Sequence, residues 1–162
     1  MPTRLIVMRH ASSGWDSPQQ SDHERVLTDG GRLEAPRISE ALTDLDWIPS
    51  LAIVSSSART RETHSLLMDL PHEIRPEVYG ASLETLLPFA EGIETDSTTL
   101  LLGHNPGCEM LVATLSGEFH RMPPATCALF TKDGMNWNLE RVLRVNELDY
   151  SSRSTFSSDD QS

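Results

Sequence analysis

Three short stretches carry side chains that could do chemistry: Arg9-His10, then Ser55-Ser56-Ser57 followed by Arg59, then Gly103-His104-Asn105. Guanidiniums are planar, permanently charged forks suited to a tetrahedral oxyanion. A helix starting just after His104 would add backbone N–H groups and a positive dipole end. These residue types describe a trap the size of a phosphate. An imidazole beside a trapped phosphoryl group can act as nucleophile, because its neutral form is available near pH 7 and splits one displacement into two easier ones. His10 holds the position for that role. The rest of phosphoryl transfer is positioning and neutralisation of charge on the equatorial oxygens, which Arg9, Arg59 and His104 could share without a metal or other cofactor. Ser13, in the segment after His10, and Asn105, next to His104, are candidates for contact with the substrate; Ser12 and Trp15 are candidates for its mouth.

Such residues need elements to bring them together. Leu5–Met8 is a short apolar run without alternation, as in a strand buried on both faces. Ile38, Ala41, Leu42 and Leu45 follow the i, i+3, i+4, i+7 spacing of one helical face, with Pro36 predicting a kink or a late start. Beyond it the pattern predicts a strand over 51–54, a helix over 58–70 closed by Pro71, a strand near 74–78 and a helix over 82–90. A strand over 98–102 and a helix over 107–115 follow, and 127–131 with 137–145 reads as a hairpin around Asp133-Gly134. Strands alternating with helices predict a three-layer α/β/α sandwich whose central sheet is mostly parallel with an antiparallel edge. In such sheets ligands sit beyond the carboxyl ends of the strands. The three stretches each follow a strand, so both arginines and both histidines converge on one edge.

The remaining candidates read more plainly. Asp22, His23 and Arg25 suggest an ordered loop of ion pairs shaping the pocket rim, since nothing supplies a spaced third ligand for a metal. Arg61 and Glu62 read as a solvated helix-face pair, which leaves Arg59 to reach the pocket. His64, His72 and His120 lack a partner at recognisable spacing and read as surface or satisfied core.

The 162 residues include 13 Lys+Arg against 24 Asp+Glu, a net charge of −11 that gives no footprint for nucleic acid or an anionic membrane surface. With 38% hydrophobic residues the chain can bury a core as one domain. Cys108 and Cys127 have no CxxC spacing and read as buried free thiols. With no secretory leader and no apolar run long enough to span a membrane, a reducing, cytoplasmic setting is expected. No heptads are present, so a monomer is expected. The Ser-rich end, 151–162, reads as a disordered tail beyond a catalytic domain over 1–150.

LIVMRHA at 5–11 resembles the Arg-His-Gly signature of the histidine phosphatase superfamily. SSSARTRET at 55–63 resembles its second block and LLGHNPG at 101–107 its third. The details MRHASSGW, SDHERVLTDGGR and VYGAS resemble the SixA-type phosphohistidine phosphatase branch, over residues 4–145. The resemblance implies a phosphoglycerate mutase-like fold, His10 as phosphate-accepting nucleophile, Arg9 and Arg59 as phosphate clamps, and His104 as the second pocket histidine. Ala11 replaces the usual glycine, as in this branch, and Val26 stands where the branch has proline. The glutamate that mutases and many phosphomonoesterases of the superfamily use as general acid has no matching motif. Glu84 and Glu91 only lie in the right part of the chain. An imidazole leaving group, with a pKa of about 6.5, needs less proton help than an alkoxide. The expected partner is therefore a phosphohistidine-bearing protein or a small phosphoramidate. The alternatives are a small-molecule phosphomonoesterase of the same superfamily and a phosphate-binding module without turnover.

Overall fold

The computed structural model describes residues 2–15 and 17–148, so the domain boundary at 150 and the tail read over 151–162 lie outside the described residues. Six strands form one sheet: β1 (Arg4–Arg9), β2 (Leu51–Ser55), β3 (His72–Arg75), β4 (Thr98–Gly103), β5 (Cys127–Asp133) and β6 (Asn136–Leu143). Their order is β3-β2-β4-β1-β5-β6. The first four run parallel, and β5 and β6 are the antiparallel edge. Among the described residues the sheet is flanked by α1 (Asp29–Asp44), α2 (Ala58–Leu67), α3 (Leu83–Glu91) and α4 (Gly107–Ser116).

Alternation along the strands splits the core in two. Ile6, Met8, Val54, Leu100 and Leu102 face one way and pack with Ile38 and Leu42 of α1 and Leu67 of α2. Leu5, Val7, Ile53 and Leu101 face the other way and pack with Leu86 of α3 and Leu111 and Val112 of α4. A strand buried on both faces must be apolar at every position, and so Leu5–Met8 and Leu100–Leu102 show no polar alternation. The three-layer sandwich follows directly.

Several boundaries differ from the sequence pattern. Helix α1 begins at Asp29, well before Pro36, and runs through that proline to Asp44; Thr28 caps it by accepting from the Gly31 N–H. Gly31 belongs there because α1 crosses the loop after β1 so closely that a Cβ would collide with the Ser12 carbonyl. Helix α2 stops at Leu67 because Met68 is extended. Strand β3 ends before Pro76, which cannot donate to a ladder and instead opens a 3₁₀ turn, Pro76–Val78. The hairpin turns as expected at Gly134, with φ of 62°.

Cys108 and Cys127 are buried free thiols. Cys108 Sγ approaches the Met8 carbonyl at 3.6 Å. Among the described residues no helix is long and apolar enough to cross a membrane.

Candidate active site

Beyond the carboxyl ends of β1, β2 and β4, a cavity of about 310 Å³ is lined by Arg9, His10, Ser12, Ser13, Arg25, Arg59, His104, Asn105 and Pro124. Arg9, His10, Ser12, Ser13, Arg59, His104 and Asn105, all named from the sequence, are in that set; Trp15, a candidate for the substrate mouth, is not and is exposed. Arg61 is outside it, and its Nε donates to the Ser56 carbonyl.

His10 leaves β1 with its backbone N–H on the Gly103 carbonyl and its own carbonyl accepting from Ala125. Its ring is buried, and Nδ1 lies 2.7 Å from the Ala11 carbonyl. A carbonyl can only accept, so Nδ1 carries the hydrogen and Nε2 presents the lone pair. The Arg59 Nε–H donates to that nitrogen at 3.3 Å. Burial above all, with Arg59 and Arg9 near, lowers the His10 pKa to about 4, which keeps Nε2 unprotonated at neutral pH.

Arg59 sits in the first turn of α2, after the Ser57 cap. Its Nη1–H donates to the Asp22 carbonyl at 2.7 Å and its Nη2–H to Asp22 Oδ2 at 3.1 Å. Arg25 donates to Asp22 Oδ1 at 2.8 Å and to Ser13 Oγ at 2.8 Å, with its guanidinium 4.7 Å over the Trp15 ring. Asp22 thus aligns two of the three guanidiniums in the pocket. Arg9 and Asn105 both donate to the Met122 carbonyl, at 3.2 and 2.9 Å. Arg9 Nε and Asn105 Oδ1 are buried without a hydrogen-bond partner.

The His104 ring centroid is 5.2 Å from that of His10. Its Nε2 lies 2.8 Å from Ser55 Oγ, which already accepts from the Ser57 N–H. The Ser55 hydroxyl hydrogen is free to go to Nε2, and the tautomer with the ring hydrogen on Nδ1 is the one that accepts it. That Nδ1 is buried with no partner. Burial, then the neighbouring His10, lowers the His104 pKa to about 3. The second histidine is a neutral N–H donor rather than a cation.

No carboxylate lines the cavity among the described residues. Glu84 is exposed on α3 and Glu91 lines a different surface cavity. Asp22 is held ionised, its pKa pushed far down first by the Tyr79 hydroxyl and then by Arg25 and Arg59, so it carries no proton to give. Three guanidiniums and two neutral imidazoles line the cavity, an arrangement that can hold a phosphate-sized anion.

No family model matches the chain. An uncharacterised chloroplastic protein of Arabidopsis thaliana is 32% identical, across 83% of this chain and 68% of its own length. A crystal structure from Agrobacterium tumefaciens, named for the phosphohistidine phosphatase SixA, is 28% identical with a TM-score of 0.80, covering 89% of this chain and 99% of that one. The chain belongs to the SixA-type branch of the histidine phosphatase superfamily. A protein histidine phosphatase SixA complexed with tungstate shares the fold at 22% identity and a TM-score of 0.78, over 90% of this chain and 99% of its own.

In this SixA-type chain two readings need correction. His64 is neither surface nor satisfied: it is buried, its Nε2 has no hydrogen-bond partner, and its ring centroid is 4.5 Å from that of His72. Glu62 is no partner of Arg61; it accepts from the Leu27 N–H and from Arg32. Ser55 stood in the second stretch and Tyr79 in the VYGAS segment, but the contacts they make, and that of the Met122 carbonyl, had no local signal, since each reaches a residue far along the chain.

Proposed function

We propose that this protein is a metal-independent phosphohistidine phosphatase working through a covalent phospho-His10 intermediate. The observation that carries the reading is the His10 ring, with Nδ1–H fixed on the Ala11 carbonyl and the Nε2 lone pair beside the Arg59 guanidinium. In the first step Nε2 attacks phosphorus in line while the P–N bond to the substrate imidazole breaks. The leaving ring keeps the electron pair and, already protonated on its other nitrogen, departs neutral. Arg9, Arg59 and the His104 Nδ1–H hold the equatorial oxygens, with Ser13 and Asn105 at the edge of the site. In the second step water attacks phosphorus, its proton passes to solvent, and the bond to Nε2 breaks to return neutral His10 and phosphate.

The lack of a carboxylic acid among the residues lining the pocket favours a P–N substrate over an ester. The substrate class is a phosphohistidine-bearing protein or a small phosphoramidate, met in the cytoplasm by a monomer. The deciding experiment compares hydrolysis of a phosphohistidine peptide and p-nitrophenyl phosphate in EDTA, for the wild type and His10→Ala. Strong preference for the peptide, abolished in the variant along with acid-labile phosphoenzyme, is expected. Turnover by His10→Ala would overturn the mechanism, and preference for the ester would move the substrate to phosphomonoesters.

A further inference from the structure

Tyr79 is outside the cavity lining yet touches both sides of the site. The 3₁₀ turn Pro76–Val78 delivers it, with its N–H on the Pro76 carbonyl and the following Ala81 N–H on the Val78 carbonyl. Its hydroxyl donates to Asp22 Oδ2 at 2.5 Å, the same oxygen that accepts from Arg59. Its ring meets His104 edge-on, with centroids 5.4 Å apart at 81°, and meets His23 in the same manner at 4.8 Å. His23 in turn is anchored 2.9 Å from Ser56 Oγ, at the end of β2.

We propose that Tyr79 is a positioning residue for phosphoryl transfer, setting Arg59 through Asp22 and His104 through its ring; the proposal rests on the reading of His10 as phosphoryl acceptor. The Asp22 carboxylate competes with a bound phosphoryl group for the Arg59 fork. A hydroxyl donating to that carboxylate takes up part of its charge, so Asp22 orients the guanidinium without drawing it off the substrate. The ring edge meanwhile blocks rotation of His104, which must hold Nδ1–H toward the equatorial oxygens while Nε2 stays on Ser55. The two contacts separate experimentally, because phenylalanine keeps the ring and loses only the hydroxyl.

The test is a kinetic series on phosphohistidine peptide, with inorganic phosphate as competitive inhibitor, for the wild type, Y79F, Y79L, D22N and Y79F/D22N. Y79F is expected to raise KM and the phosphate Ki about fivefold with kcat little changed. Y79L, which also loses the ring contact, should in addition lower kcat about tenfold. In the D22N background, Y79F should have no further effect, since the competing charge is gone. A KM and Ki for Y79F equal to wild type, or an undiminished Y79F effect in D22N, overturns the proposal, as does a fall in melting temperature with unchanged kinetics. Should Y79F fail to fold, D22N alone decides the Arg59 half, where an unchanged phosphate Ki overturns it. Turnover by His10→Ala would instead sink the underlying mechanism, a distinguishable failure.

Discussion

Arg59 illustrates what a single side chain does in this site: one edge touches the His10 lone pair and the other is clamped by the carbonyl and carboxylate of Asp22. Lysine would keep the charge but lose the fork, so it could not touch His10 and Asp22 at once. Arg59→Lys is expected to lower kcat/KM about 100-fold, with melting temperature nearly unchanged. Steady-state kinetics beside a thermal melt check this, and activity near wild type would show that charge alone suffices. Arg9, His10, Arg59 and His104 were legible as candidates because each ends a strand, immediately follows one or opens the helix after it. Asp22 was legible only as a rim residue. Its bond to Tyr79 spans 57 positions, and no spacing rule links a tyrosine after a 3₁₀ turn to an aspartate in an earlier loop. Contacts of that kind belong to the folded molecule and leave no local pattern.

The elements themselves were largely readable, because a strand covered on both faces has to be apolar throughout and a helix must present one apolar stripe. Helix α1 shows where that logic stops. Its first turn holds Gly30 and Gly31, poor helix formers that mask the start despite the Thr28 cap. The reason is tertiary: α1 presses on the backbone two residues past His10, and Ser12 is tied to it through its N–H and hydroxyl on Glu34 and its carbonyl on the Thr28 N–H. Gly31→Ala, favourable for an isolated helix, is therefore expected to cost about 2 kcal/mol by forcing α1 off that loop. Urea unfolding measures the loss, and a parallel fall in kcat is expected because the displaced loop carries Ser12 and Ser13 of the pocket. A stabilised variant would mean that helix propensity outweighs the contact.

At the scale of the whole molecule, burying His10 and His104 as neutral rings ties stability to pH. Their folded pKa values, about 4 and about 3, lie below the ordinary 6.5. Between these values the unfolded chain binds protons that the native one refuses, so stability falls as pH drops from about 6.5 toward 4 and is insensitive to these groups above 7. His64, lowered mainly by burial, acts in the same direction. Melting temperature measured from pH 7.5 to 4.5 should decline, and His104→Gln should flatten the decline; a flat wild-type profile would contradict the neutral rings. The buried thiols have a consequence of another kind. Burial raises the pKa of both Cys108 and Cys127, which leaves neither with appreciable thiolate. With the proposed nitrogen nucleophile and both thiols sealed in the core, the protein should keep working under peroxide that silences thiol-dependent phosphatases. Preincubation with hydrogen peroxide or N-ethylmaleimide is expected to leave turnover intact, which would make the activity indifferent to thiol oxidation.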